Sequence, residues 1–156
     1  MVLLDSNLFV IDRFFPRDAH FPINRRFLDS LPTVEAGIST LTLMELCGIA
    51  SFNLKPRDLQ TWLYNFSTVY PVQVLDPWGV DAELSATWMG QFLSDLIDKI
   101  SRKMSFGDAV LLREAERYGV AAIVTWNTRD FARRTAIPVY TPSTALPHFF
   151  SRKNGS

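Results

Sequence analysis

Four acidic residues stand where a carboxylate can do chemistry: Asp5, Glu45, Asp108 and Asp130. Asp5 ends the apolar run Val2-Leu3-Leu4 and leads into Ser6-Asn7. Glu45, Asp108 and Asp130 come three residues after Thr42, Ser105 and Asn127, each of which can open a helical turn. All four acids therefore fall at predicted strand-to-helix junctions. In an α/β sheet such junctions gather on the carboxyl edge, where ligands bind. Carboxylates brought together there repel, so each must protonate, move apart or bind a cation. An oxygen-only donor set, with no Cys or His beside it, favours Mg²⁺ or Mn²⁺ over zinc. His20 and His148 are far apart and lack ligand spacing, so they read as ordinary surface or loop histidines.

Each acid also has a purely structural role open to it. Asp5-Ser6-Asn7 suits a helix N-cap, and on that segment alone the cap is the better reading. Thr42-x-x-Glu45 matches a full capping box, and Ser105-x-x-Asp108 a short-armed one. One such carboxylate is a cap; four on a single edge are a candidate site.

The elements that must hold them follow from periodicity. Residues 105–131 predict a helix, a turn, a buried strand and a second turn. Leu111, Leu112, Ala115 and Tyr118 recur at helical spacing and Gly119 supplies the stop. Val120–Thr125 is a gapless apolar run, as in strands covered on both faces. Upstream, Val2–Leu4 predicts a short strand feeding a helix. A loop and short helix precede Pro32, Glu35–Thr40 predicts a strand, and Thr42 opens the next helix. Pro56 starts another, with Leu59, Trp62, Leu63 and Phe66 on one face. Tyr70–Leu75 predicts a strand with Pro71 near its start, which an edge position tolerates. Asp76-Pro77 opens a long helix with Val80, Leu84, Trp88, Phe92, Leu93, Leu96 and Ile100 at helical spacing. Ile137–Tyr140 is the last short strand, left through Thr141-Pro142. Strands alternating with helices predict a single-domain three-layer α/β/α sandwich around a mostly parallel sheet. It spans residues 1–150, with a polar tail at 151–156.

Composition sets wide bounds. The 156 residues suffice for one domain with a proper core. Sixteen basic and sixteen acidic residues cancel, so bulk charge does not announce nucleic acid, although a local patch is enough to bind phosphates. The arginines of residues 13–35 read as a solvated face. The single cysteine, Cys47, excludes an internal disulfide, fits a reducing compartment and reads as a small buried hydrophobe. No basic leader with a long apolar stretch is present, and no apolar run approaches membrane-spanning length. The expectation is a cytoplasmic protein with no membrane contact.

With these motifs in order, the sequence resembles the PIN-domain (PilT N-terminal) nucleases, especially the VapC-type toxins. The resemblance rests first on Leu4-Asp5-Ser6-Asn7 and on Ser39-Thr40-Leu41-Thr42-Leu43-Met44-Glu45-Leu46. It continues with Phe106-Gly107-Asp108-Ala109, ahead of a helix ending at Tyr118-Gly119, and with Val124-Thr125-Trp126-Asn127-Thr128-Arg129-Asp130-Phe131. It covers nearly the entire chain, and the Thr-x-Asn-x-x-Asp-Phe ending makes it specific. What it implies is a Mg²⁺- or Mn²⁺-dependent endoribonuclease, the toxin of a toxin–antitoxin pair, hydrolysing RNA phosphodiester bonds by a metal-activated water. Asp5, Glu45, Asp108 and Asp130 would hold one or two metals. Ser6 and Asn7 would fix the Asp5 loop, while Thr125 and Asn127 would orient a carboxylate, a water or a phosphate. Arg129, Arg133 and Arg134 would contact substrate phosphates, or else form only a solvated charged turn. A small antitoxin partner and a homodimer are also implied, with Phe14, Phe15, Trp62, Phe149 and Phe150 as the source of apolar surface. Two other readings stay open. One is a non-catalytic PIN-like RNA-binding or scaffold domain, whose mark would be a missing acid. The other is a housekeeping PIN nuclease without an antitoxin. A phosphohydrolase with an Asp nucleophile would want a second Asp where Asn7 stands.

Overall fold

The short apolar runs that punctuate the chain become strands of one sheet. In the computed structural model, which describes residues 1–76 and 86–150, β1 (Val2–Leu4) leads into α1 (Ser6–Phe14) and α2 (Phe21–Ser30). Then follow β2 (Ala36–Ser39), α3 (Thr40–Ala50), α4 (Pro56–Tyr64), α5 (Phe66–Val69) and β3 (Gln73–Leu75). The remainder is α6 (Ala86–Ser101), α7 (Phe106–Arg117), β4 (Ala122–Val124), β5 (Val139–Tyr140) and α8 (Pro142–Phe150). The strands pair in parallel throughout, in the order β3-β2-β1-β4-β5.

β1 and β4 are buried at every residue, as parallel strands covered on both faces must be. Their alternating residues feed two cores. Val2, Leu4, Ala122 and Val124 pack with Leu8, Phe9, Phe27, Leu46, Trp62 and Ala145, from α1, α2, α3, α4 and α8. Leu3 and Ile123 pack on the other side with Leu96 of α6 and Val110, Leu111 and Ala115 of α7. The result is the expected three-layer α/β/α sandwich, with an all-parallel sheet. Among the described residues no helix is long and apolar enough to cross a membrane.

Topology puts a crevice beside β1. From β1 the chain winds outward through β2 to β3, then crosses back to lay β4 on the opposite side of β1. The strand order therefore reverses between β1 and β4. In open α/β sheets, ligands bind outside the carboxyl ends at such a reversal. Asp5 leaves β1 there and Thr125 leaves β4.

Several expectations change in detail. The N-cap of α3 is Ser39, whose Oγ accepts the Thr42 amide at 3.1 Å, so Thr42 opens no capping box. The cause is that β2 runs directly into the helix, which moves Glu45 to the second turn and frees it from capping. Pro142 does not merely leave β5; it starts α8, a position suited to a residue without an amide proton. Internal Pro147 obscured this helix in the sequence. Of the apolar positions assigned to the long helix, Trp88 and Leu96 are buried, but Leu93 and Ile100 are exposed while Lys99 turns inward. Val80, Leu84 and the expected start at Asp76-Pro77, like the 151–156 tail, fall on or against segments outside the described residues. Trp62 is a core residue between Phe14 and Phe66, so it supplies no partner surface. Cys47 is half-buried rather than buried, and desolvation raises its thiol pKa.

At the far end of α7 from Asp108, α6 and α7 are joined by ions in the core. The Arg113 guanidinium is 1% exposed, and its Nη1 donates to Oε1 of the wholly buried Glu114 at 2.7 Å. Its Nε donates to Asp95 at 3.1 Å, and the group lies 4.8 Å from the centre of the Phe92 ring. Burial raises the Glu114 pKa and Arg113 opposes that rise. A buried pair is strongly felt only when one partner goes, because the other charge is then left alone. Arg113→Met should cost about 3–5 kcal/mol, and adding Glu114→Leu should restore most of it. Urea unfolding of the two variants checks this; a double variant no more stable than the single would contradict it.

Candidate active site

Asp5 comes first because β1 ends at it. Its backbone is extended, at φ −81° and ψ 154°, and its amide still bonds to the Val124 carbonyl at 3.1 Å. Although it occupies the N-cap position of α1, its side chain makes no capping bond, contrary to the expected cap. The carboxylate turns toward β4 instead. Oδ2 accepts from Thr125 Oγ1 at 2.6 Å and from Asn7 Nδ2 at 2.7 Å. Thr125 is wholly buried, and its hydroxyl oxygen accepts from Asn7 Nδ2 and from the Asn127 amide, both at 2.9 Å. Asn7 and Thr125 thus hold one oxygen of Asp5 and leave Oδ1 with only Ser6, at 3.2 Å. The same Ser6 hydroxyl lies 3.1 Å from Glu45 Oε2, so it stands between the two acids and ties α1 to α3.

Glu45 reaches this point because α3 and α7 pack closely. A Cβ on Gly107 would lie 2.7 Å from Glu45 Oε1, inside any real contact distance. Gly107 was visible in the sequence only as part of a motif. The signal was there: glycine is a poor choice inside a helix unless something approaches its backbone. A groove of about 390 Å³ runs alongside, with Met44 and Glu45 on one wall and Phe106 and Gly107 on the other.

The other two acids are held by their own turns. Ser105 caps α7: its Oγ accepts the Asp108 amide at 3.2 Å and donates to Asp108 Oδ2 at 2.6 Å. The Ser105 half of the expected short-armed box is present, but Asp108 reaches back to the Ser105 hydroxyl in place of its amide, and its other oxygen takes no part in the cap. Asp130 ends the single helical turn Thr128–Asp130 after β4, where Asn127 Nδ2 donates to its Oδ2.

Electrostatics joins these groups into a chain. Burial raises the Asp5 pKa; the Thr125 hydrogen bond opposes this and the charge of Glu45 adds to it. Burial also raises the Asp108 pKa, against Ser105 and Arg134 and with the charges of Asp130 and Asp5. Like charge thus links Glu45 to Asp5, and Asp130 and Asp5 to Asp108. Among the described residues no three Asp, Glu, His or Cys side chains are close enough to enclose a common ion. Mg²⁺ does not require that: it keeps several waters and takes one or two carboxylates. The hard-oxygen Asp5–Glu45 pair, with Asp108 electrically coupled to it, fits such an ion.

The three arginines beyond the acids part company. Arg134 Nη1 donates to the Asp130 carbonyl at 2.6 Å, and its Nε and Nη2 donate to Arg102 and Lys103 carbonyls at 3.0 and 3.3 Å. It clips the Asp130 turn to the turn between α6 and α7. Arg129 and Arg133 are exposed beside it.

Several solved structures share this architecture. FitAcB from Neisseria gonorrhoeae matches with TM-score 0.62 and 16% identity over 92% of this chain and 99% of that one. DNA-bound VapBC from Salmonella typhimurium matches with TM-score 0.59 and 26% identity over 90% and 97%. The sarcin-ricin-loop-cleaving toxin VapC20 of Mycobacterium tuberculosis matches with TM-score 0.56 and 17% identity over 79% and 87%. No family model matches the sequence, and no curated protein does.

Repulsion among the acids has a measurable sign. A carboxylate whose folded pKa is raised holds its proton longer in the folded state, so its contribution to stability is present in acid and is lost as pH rises through the folded value. For Asp5 and Asp108 the loss begins at the ordinary aspartate value of 3.8 and runs upward. Urea unfolding in EDTA across that range should show Asp108→Asn losing less stability with rising pH than the native chain. Glu114 contributes a slope of the same sign, which this variant leaves in place. Parallel pH curves for the two proteins would contradict the coupling.

Proposed function

We propose, from a chain with the VapC-type PIN-domain fold and carboxylates at the reversal of its sheet, that this protein is a metal-dependent endoribonuclease and the toxin of a toxin–antitoxin pair. The observation that carries the reading is Asp5 at the end of the central strand, one oxygen held by Thr125 and the Ser6 hydroxyl standing between its other oxygen and Glu45. Asp5, Glu45, Asp108 and Asp130 would hold one or two Mg²⁺ or Mn²⁺ ions, each ion taking one or two of these carboxylates and keeping its waters. When bound, such an ion activates a water for attack on phosphorus and offsets charge on the phosphate and leaving oxygen.

The chain's own residues then have distinct duties. Thr125 and Asn7 fix one oxygen of Asp5, so the other faces the ligand in a set direction. Ser6 sets the spacing of Asp5 and Glu45, and Asn127 orients Asp130. Arg129 and Arg133 contact the RNA backbone, positioning the strand without reading its sequence. Arg134 serves them indirectly by holding the Asp130 turn. Apolar surface for a small antitoxin, and for a second copy in a homodimer, comes from side chains left exposed: Phe15 at 53%, Met44 at 47% and Phe106 at 64%.

The spacing of the acids also supports a second reading, a PIN-like domain that binds RNA without cutting it. Metal linkage separates the two. The native chain should gain stability on adding Mn²⁺ as RT ln(1 + [L]/Kd), about 2.7 kcal/mol at a hundredfold excess over Kd. Asp108→Asn should lose most of that gain while remaining as stable as the native chain, or more so, in EDTA. A mere cap would lose about 0.5–2 kcal/mol equally with and without metal. RNA cleavage assayed in parallel should require Mg²⁺ or Mn²⁺ and stop with EDTA. Equal metal shifts in both proteins, or cleavage that survives chelation, would sink the proposal.

Expression in a bacterial host supplies the partner test. The chain alone should arrest growth, and co-expression of a small protein encoded beside it should restore growth and yield a stable complex. Harmless accumulation of folded, metal-responsive protein would point to a housekeeping nuclease.

A further inference from the structure

The turn after β4 delivers Thr125 and Asn127 to the acids, but Trp126 between them faces elsewhere. Its indole Nε1 donates to Asn24 Oδ1 at 2.9 Å, and its amide to Asn7 Oδ1 at 3.4 Å. Asn24 is wholly buried, and its Nδ2 donates in turn to the Leu8 carbonyl at 2.8 Å. The one polar group of the indole is therefore satisfied inward, and the plane of the ring is fixed by the core. On that plane lies the His20 imidazole, with ring centres 4.2 Å apart and planes within 24°. The His20 amide donates to Asp18 Oδ1 at 2.7 Å, which holds the loop carrying it. His20 is exposed, so the outer face of the stack is open to solvent.

A fixed aromatic plane capped by an exposed ring, three residues before exposed Arg129 in the chain, is the kind of arrangement single-stranded nucleic acid uses: bases stack on rings while cations take the backbone. A duplex keeps its base faces covered and could not use it. We propose that His20, backed by Trp126, is a stacking platform for an unpaired RNA base beside the acid site. This rests on the ribonuclease reading and narrows its substrate to strands with an accessible unpaired nucleotide. His20 is then a binding residue, not an acid or base in the reaction.

The probe is a short fluorescein-labelled oligoadenylate RNA, together with the same ribose-phosphate chain lacking its central bases. Both are titrated by fluorescence anisotropy in EDTA against the native protein, His20→Ala and His20→Phe. His20→Ala should weaken oligoadenylate binding roughly tenfold, the usual worth of one base–aromatic stack. His20→Phe should bind like the native protein, and the base-free chain should bind all three alike. Thermal melts establish that each variant is folded. Equal binding of oligoadenylate by native protein and His20→Ala overturns the platform, as does an equal loss on the base-free chain or no binding by the native protein. Cleavage is scored separately. Metal-dependent cutting with no effect of His20→Ala on binding removes the platform alone, and base stacking through His20 without any cutting removes the nuclease reading alone.

Discussion

A carboxylate at the end of a buried parallel strand is a poor guest unless its oxygens are occupied. Asp5 meets that constraint with one distant and two local partners: Thr125, 120 residues away, and Asn7 take one oxygen, and Ser6 reaches the other. Much of the local architecture follows. β1 must lie directly beside β4 for Thr125 to reach Asp5, and Asn127 must turn back on Thr125 to satisfy the same hydroxyl. The reversal of strand order that opens the crevice also brings the donors to the acid. Position and hydrogen bonding here have one cause.

Charge is distributed along α7 in two opposite ways. Its amino end carries Asp108 among other acids, where burial and like charge raise its pKa and a nearby cation would offset both. Toward its carboxyl end, Arg113 and Glu114 are buried against each other, with the Arg113 guanidinium over the Phe92 ring, and their charges are already matched. One end is unbalanced at the surface of a crevice; the other is balanced in the core. The neutral net charge of the chain conceals this contrast completely.

Much of this could be read in the residues. The Ser105 cap, the stop at Gly119 with φ +57°, the strands at Val2, Ala36 and Ala122, and the edge position of the strand after Pro71 all rest on local chemistry, and local chemistry is what a sequence displays. The acids were placed on one edge by the same reasoning. What was hidden depends on distant partners. Asp5 looks like a cap until Thr125 is beside it. Thr42-x-x-Glu45 spells a capping box, but Ser39 takes the cap because β2 ends there. Arg134 reads as a free cation and is occupied by carbonyls of a turn that precedes it by some thirty residues, at Arg102 and Lys103. His20 and Trp126 are unremarkable apart and informative only when stacked.

The pairing of Val2 with Ala122 carries a consequence for the order in which the protein comes into being. The central strand is made before its second neighbour, with β2, β3 and the helices α1 to α7 between them in the sequence. Contacts of such long separation are slow to form, since the intervening loop must close before they stabilise anything. Until β4 has left the ribosome and docked, Asp5 has no Thr125 to occupy its Oδ2. A nascent chain therefore carries Asp5 and Glu45 before the strand that completes their surroundings has been made.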